Sequence, residues 1–246
     1  MQNTKFKKNQ QSQNITKIKY KMRYKVNFDL EFRKHNLAGK LIAIEGIDGS
    51  GKTTQAHELA RLLNGAGHSA VYTKEPTNGA IGKFIREILI GKKQFEPFAF
   101  QYLFVADRVQ HLEEVKKYLA DGKIVVSDRF FWSSVAYGGA DRGIDFKKDQ
   151  DGDLLLSAFG ILSPYHRFIV PDITFYLSAS PENALERLSK IRHNADIYDK
   201  LPKLKNIALG YEWLIKKFQE EFVIIDANKS REEVSKELFE QVKKRI

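Results

Sequence analysis

The stretch EGIDGSGKTT, Glu45 to Thr54, holds three glycines, a lysine and two threonines directly behind the apolar run Leu41-Ile42-Ala43-Ile44. Residues 46–53 fit G-x-x-x-x-G-K-[ST] at every fixed position, a spacing whose chemistry is anion binding. Glycines let the chain curl with its amide hydrogens turned inward, and a following helix adds the positive end of its dipole. Lys52 then reaches the β/γ-phosphates of a nucleotide, while Thr53 offers a hydroxyl to Mg2+. Gly46, Asp48, Gly49, Ser50, Gly51 and Thr54 complete the cradle. The competing reading is a glycine turn that binds nothing. An apolar strand pattern before it and a helix pattern after it weigh against that reading.

A second group follows the apolar run Ile124-Val-Val-Ser, which ends in Asp128 and Arg129. An acid at such a strand end is placed to help hold magnesium through water. Arg129 is either the ion-pair partner of that acid or a guanidinium fork for an incoming phosphate, and the phosphate role is favoured. On the helical pattern of residues 100–120, Phe104 and Arg108 stand four apart and share a face. Stacking beside hydrogen bonding suits a planar base, although an aromatic next to a snorkelling cation is also ordinary packing.

A phosphate cradle alone names no reaction, since switch GTPases, motors and small-molecule kinases all use one. Guanine recognition calls for N-K-x-D. The nearest match, Asn228-Lys229-Ser230-Arg231, puts a cation where the base-reading carboxylate belongs, which disfavours a switch GTPase.

Positioning these groups takes a scaffold, and the apolar pattern supplies one. Strands are predicted at Leu41–Ile44, Ala70–Thr73, Ile124–Ser127, Ile173–Leu177 and Val223–Ile225, all nearly unbroken runs suited to burial on both faces. Helices are predicted between them at 52–64, 80–90, 97–120, 181–192, 204–220 and 230–245, with start signals at Pro97, Ser180-Pro181 and Ser230-Arg-Glu-Glu. The alternation predicts an α/β fold, a five-stranded parallel sheet flanked by helices, with ligands at the carboxyl ends of the strands. Gly138 to His166 is the least readable stretch; its run from Lys147 to Asp153 suits a polar loop or a helix start, and the segment could be an insertion closing over a site.

Composition bounds the rest. The chain has 246 residues, enough for one sizeable α/β domain, and no cysteine, which removes disulfides, thiolate metal sites and cysteine nucleophiles. No apolar run reaches the ~18 residues of a membrane span. The net charge of +10 is concentrated: residues 1–40 hold 11 Lys/Arg against Asp29 and Glu31, so the body is nearly neutral. The chain therefore divides into a basic extension, 1–38, whose composition predicts disorder, and a domain with the phosphate cradle, 39–246. Three readings of the extension stand open: a solvated appendage, which is favoured, an organelle-targeting segment, or an arm for nucleic acid.

The motifs taken together carry a resemblance. Glu45 to Thr54, Lys74-Glu-Pro76, Leu103-Phe-Val-Ala-Asp-Arg108, Asp128-Arg129-Phe with Ser133-Ser-Val-Ala-Tyr137, Pro171-Asp-Ile-Thr, Ala184-Leu-Glu-Arg187 and Ile225-Asp-Ala resemble, in order, the thymidylate kinase family of P-loop nucleoside monophosphate kinases. The resemblance runs from about Leu41 to Ile246. It implies the three-layer P-loop NTPase fold and transfer of the γ-phosphoryl group of ATP to dTMP with Mg2+, in a cytoplasmic enzyme that is usually a homodimer through its long helix. It gives no reason to expect a membrane or nucleic-acid partner.

The resemblance also implies roles. Phe104 stacks on thymine, Arg108 donates to a thymine carbonyl, and Ser134 makes a polar contact to the base. Tyr137 lies under the sugar and disfavours a 2′-hydroxyl, Asp48 lies near the 3′-hydroxyl and the phosphates, Arg129 clamps the acceptor phosphate, and Glu75 lines the same pocket. Read alone, Ser134 suits a turn cap, Tyr137 a core position and Glu75-Pro76 a strand end. A lid is implied around 187–203, with Arg187 against adenine, Arg192 at the transition state and Lys190 as its substitute; Ala227 is carried over as a donor-nucleotide contact. Gly49 in the cradle assigns the chain to the class whose arginine comes from the lid. Five departures stand out: Gly138 replaces a common glutamine, Lys74 a usual arginine, Ile197 follows Asp196 where the family continues with arginine, Arg187 and Arg192 stand one residue further apart than in the family, and residues 144–170 are long for the family. Two rivals remain: a kinase for another nucleoside monophosphate or a deoxynucleoside, and an inactive P-loop binding protein with a basic nucleic-acid arm.

Overall fold

In the computed structural model, a compact unit spans Glu31–Ile246, and the structure describes residues 34–141, 144, 146, 169–191 and 196–246. The sequence readings that fall on 1–33, on most of 142–168 and on Arg192 lie outside the described residues. Among the described residues no helix is long and apolar enough to cross a membrane.

Five parallel strands form one sheet: β1 (Lys40–Glu45), β2 (Ala70–Lys74), β3 (Ile124–Asp128), β4 (Ile173–Ser178) and β5 (Val223–Asp226), in the order β2-β3-β1-β4-β5. Each contains the run expected from the sequence, extended by one or two residues at its polar ends. The register sets Ile44 of β1 opposite Asp128 of β3, and Lys74 of β2 opposite Asp128 as well. Three strand ends bearing chemistry therefore finish at one level.

The helices are α1 (Lys52–Gly65), α2 (Ala80–Leu89), α3 (Pro97–Ala120), α4 (Phe131–Asp141), α5 (Pro181–Ile191), α6 (Leu201–Lys217) and α7 (Arg231–Lys243). One sheet face buries Ile42, Ile44, Val126 and Phe175 against Leu59 and Leu63 of α1 and Leu238 of α7. The alternate residues of the same strands turn to the other face, where Tyr176 packs on Tyr211 of α6 at 5.0 Å between ring centroids. Helix α7 begins with the expected capping box, Ser230 with Glu233. Helix α6 starts at Leu201, earlier than predicted, because Pro202 suits a first helical turn.

Helix α4 was not predicted. Its sequence FWSSVAYGGAD carries aromatics, a β-branched residue and paired glycines, all poor helix formers, and its residues through Ala140 are buried. What starts it is remote: the Glu45 carboxylate accepts from the amides of Phe130 and Ser133 at 2.9 and 3.2 Å, doing the work of an N-cap from another element. The glycines have a packing role, since a Cβ on Gly139 would lie 2.5 Å from the Phe146 ring and one on Gly210 of α6 would lie 2.9 Å from it. At the opposite end of the sheet, Asp172 ties in the entering chain by hydrogen bonds to His35 (2.9 Å) and to the Leu41 amide (2.8 Å).

Candidate active site

The cradle leaves β1 through three glycines with left-handed or related φ: Gly46 (149°), Gly49 (79°) and Gly51 (96°). Gly49 has a second constraint, because a Cβ there would lie 2.2 Å from the Ala184 carbonyl of α5. Lys52 opens α1 and is folded back into the loop, donating to the Ile47 carbonyl at 2.6 Å. Burial lowers its ammonium pKa to about 8, with the Arg129 cation adding to the effect and three carboxylates opposing it. Such a charge, desolvated and without an ion-pair partner in direct contact among the described residues, is suited to an arriving anion. Ser50 is buried with its hydroxyl unpartnered among the described residues, and Thr54 faces outward on the first turn of α1.

The Thr53 hydroxyl donates to Asp128 Oδ2 at 2.5 Å. The other carboxylate oxygen, Oδ1, is buried and has no hydrogen-bond partner among the described residues. A hydroxyl and a half-satisfied carboxylate side by side, at the mouth of a phosphate loop, form an oxygen donor set that fits a hydrated divalent cation.

Arg129 follows β3 with φ at 75°, a conformation that costs a non-glycine residue about 1–2 kcal/mol. It is held there by its amide donating to the Ile44 carbonyl (3.0 Å) and by the Ser127 hydroxyl donating to its carbonyl (2.7 Å). The result aims the guanidinium across the sheet edge: Nη1 donates to Ser133 Oγ (3.0 Å) and Nη2 to Tyr137 Oη (2.9 Å), and Nη2 also makes an ion pair with Asp48 of the cradle. The sequence left Asp128 as the alternative partner; the fork reaches Asp48 instead. Burial pushes the Tyr137 phenol well above its ordinary range, so it remains a neutral hydroxyl.

Beside this fork opens a cleft of about 330 Å³, within the size range of small-molecule sites. Glu75, Phe104, Arg108, Arg129, Ser134 and Tyr137 all line it, as does Asp48. Phe104 is half-buried and meets Phe100 edge-on at 5.0 Å. Arg108 is 1% exposed; its Nε donates to Glu75 Oε2 at 2.5 Å, Nη1 to Ser134 Oγ at 3.1 Å and Nη2 to the Phe130 carbonyl at 3.1 Å. Glu75 and Ser134 thus hold the arginine as well as facing the cleft.

Several groups escaped the sequence reading. His111 bridges Glu75 Oε1 (3.0 Å) and Thr73 Oγ1 (2.6 Å), and its place one turn after Arg108 on the same helix face was the available signal. Asp107 accepts from both the amide and the hydroxyl of Thr77 at 2.7 Å, fixing the turn after β2. Glu45 is fully buried, and desolvation raises its carboxyl pKa against the hydrogen bonds of Ser133 and Tyr211. Tyr198 lines the cleft and meets Tyr137 edge-on at 4.9 Å; no local pattern announced it.

On the cradle's other side, Arg187 of α5 donates to the Ala227 carbonyl at 2.9 Å, joining two positions carried over for the donor nucleotide. Lys190 forms an exposed i,i+4 pair with Glu186 at 2.6 Å, the arrangement of a solvated helix face. Arg192 lies outside the described residues. The chain returns at Asp196, and the Ile197 amide donates to the Leu89 carbonyl at 3.2 Å, setting this segment against the end of α2.

Comparison with known proteins agrees with the geometry. The family model described as thymidylate kinase matches residues 44–238. The chain is 34% identical over 210 residues to the thymidylate kinase of Thermoanaerobacter sp. (strain X514), spanning 85% of this chain and 99% of that one. It is 37% identical over 212 residues to the thymidylate kinase of Mesoplasma florum, covering 83% and 93% of the two chains. A probable thymidylate kinase of Methanococcus aeolicus is 36% identical over 209 residues, covering 82% and 95%.

Proposed function

The chain belongs to the thymidylate kinase family, and on that premise we propose that it transfers the γ-phosphoryl group of ATP to dTMP, yielding ADP and dTDP. The observation that carries this reading is that the phosphate cradle and the acceptor-side cleft open at one sheet edge and touch through the Asp48–Arg129 pair. A phosphate oxygen of dTMP attacks the γ-phosphorus as the bond to the β–γ bridging oxygen breaks, and ADP leaves. An acceptor phosphate is already a nucleophile, so the protein's tasks are alignment, charge neutralisation and exclusion of water.

In this reading the amides of residues 46–53 hold the donor phosphates, and Lys52 neutralises their charge. Thr53 and Asp128 would hold Mg2+, which when bound offsets charge on the β- and γ-phosphates. Arg129 exchanges part of its contact with Asp48 for the acceptor phosphate, and Asp48 turns towards the sugar. Phe104 stacks on the base, Arg108 donates to a base carbonyl, and Tyr137 with Ser134 shapes the sugar and base walls. Arg187 with Ala227 flanks adenine, and the lid, with Arg192, closes over the transferring group. The enzyme works in the cytoplasm, supplying dTTP synthesis. A homodimer through α3 belongs to the same proposal, supported by Tyr102 and Val109, seven residues apart on its outer face and exposed.

The test is turnover with dTMP, dUMP, UMP, CMP and thymidine measured side by side in the presence of ATP and Mg2+. Preference for dTMP is expected. Preference for UMP, CMP or thymidine would replace the acceptor assignment while leaving the phosphate chemistry, and no turnover of any acceptor would remove the kinase reading.

A further inference from the structure

A further polar group, Gln101, lies in the cleft wall. Gln101 lies on α3 one turn before Phe104 and two before Arg108, so the three share a helix face, and all three line the acceptor cleft. Its side chain is buried, at 3% exposure. The amide nitrogen Nε2 donates to Asp141 Oδ2 at 2.9 Å. The same carboxylate accepts from the Tyr198 hydroxyl at 2.6 Å and pairs with the Lys203 ammonium at 2.7 Å, so its neighbours all donate to it. The amide is therefore fixed in one orientation, with its NH2 towards Asp141 and its carbonyl oxygen turned away. That oxygen, Oε1, is buried and has no hydrogen-bond donor among the described residues. A buried acceptor left unmade is costly unless a ligand supplies the donor.

We propose that Gln101 is a base-reading residue whose carbonyl oxygen accepts the N3–H of thymine, beside an Arg108 that donates to a thymine carbonyl. This deepens the proposed dTMP reaction and rests on it. The pairing is chemically selective. Thymine and uracil present N3–H as a donor next to the O4 acceptor, whereas cytosine presents N3 as an acceptor next to an amino donor. Against cytosine, the fixed carbonyl of Gln101 meets a lone pair, and the Arg108 guanidinium meets an amino group. Because Asp141 pins the amide, the residue cannot turn round to suit the wrong base. Asp141 is thus a positioning residue: it sets the orientation of Gln101 and, through Tyr198, the ring that abuts Tyr137.

The experiment is a chemical cycle on the full chain. Binding of dTMP and of N3-methyl-dTMP, which keeps both carbonyls and replaces the N3 hydrogen with a methyl group, is measured by calorimetry for the wild type and for Gln101→Met, alongside kcat and KM for dTMP, dCMP and ATP. The wild type is expected to lose about 10-fold or more in affinity on the change to N3-methyl-dTMP, at least the size of one net hydrogen bond. Gln101→Met is expected to bind dTMP about 10-fold more weakly, to treat the two ligands alike, and to keep the KM for ATP within about twofold. An equal penalty for N3-methyl-dTMP in both proteins overturns the assignment. Should Gln101→Met fail to fold, Asp141→Asn decides: it gives the amide a neighbour that can donate, so Gln101 can turn and the dTMP-to-dCMP ratio should fall by about 10-fold or more, while an unchanged ratio overturns the proposal. Wild-type turnover of dTMP separates the two levels. Its absence sinks the dTMP reading, whereas turnover indifferent to N3–H sinks only the role of Gln101.

Discussion

Glu75→Gln tests how the base-side wall is held together. Glu75 and Arg108 are a buried ion pair, 3% and 1% exposed at the side chain, with the second Glu75 oxygen on His111. Removing one partner of such a pair costs about 3–5 kcal/mol, because the remaining charge is left in a poorly solvated site. Glutamine keeps the shape and can keep both hydrogen bonds: its oxygen faces Arg108, and its NH2 faces His111 Nδ1 once the imidazole changes tautomer. Only the compensating charge is lost, so about 2–3 kcal/mol is expected for Glu75→Gln, against about 3–5 for Glu75→Ala. For a chain of this size that is a fall of about 5–10 °C in Tm. The same change should raise the KM for dTMP several-fold with little effect on the KM for ATP, since a neutral amide holds the Arg108 guanidinium less firmly than the carboxylate does. Urea denaturation and initial-rate kinetics on Glu75→Gln, Arg108→Met and the double variant provide the check. The double variant should lose less stability than the sum of the singles, because it buries no net charge. Additive losses, or a Glu75→Gln protein within about 0.5 kcal/mol of wild type with unchanged dTMP KM, would refute the reasoning.

Arg129→Ala should lower kcat/KM for dTMP by about 10³-fold or more while leaving ATP binding within a few-fold, because the fork faces the acceptor cleft; equal losses for both substrates in kinetics and calorimetry would remove its phosphate role. Gly49→Ala should destabilise the protein more than Gly51→Ala in thermal melts. Both adopt positive φ, a cost of about 1–2 kcal/mol, but only Gly49 would drive a Cβ into the Ala184 carbonyl, whereas Gly51 has open space. ATP affinity should fall as pH rises through about 8, with proton uptake on binding above that pH. Lys52 has its pKa lowered to about 8 in the free protein by burial, so above that value it is neutral, and the nucleotide phosphates must restore its proton to bind it as a cation. Calorimetry in buffers of different ionisation enthalpy measures the uptake; none between pH 8 and 10 contradicts the assignment.

Much of this protein is local in origin and could be read from the chain. Runs such as Ile124-Val-Val-Ser are apolar enough to demand burial on both faces, and the spacing of Gly46, Gly51, Lys52 and Thr53 is a backbone device complete within eight residues. The five strands and the glycine-rich turn between β1 and α1 followed from these neighbours alone. What tertiary structure decided is whatever depends on a partner far along the chain. Helix α4 has little intrinsic tendency to form and starts because Glu45, 85 residues earlier, receives the Phe130 amide. The partner of Arg129 is Asp48 rather than the adjacent Asp128, because a left-handed residue at the end of β3 swings the fork across to the cradle. Gln101 became conspicuous only when Asp141, 40 residues away, fixed its amide and left its carbonyl bare. Sequence periodicity records which face of an element is apolar. Which distant polar group completes a hydrogen bond is set by packing, and here those completions shape the cleft beside Arg129.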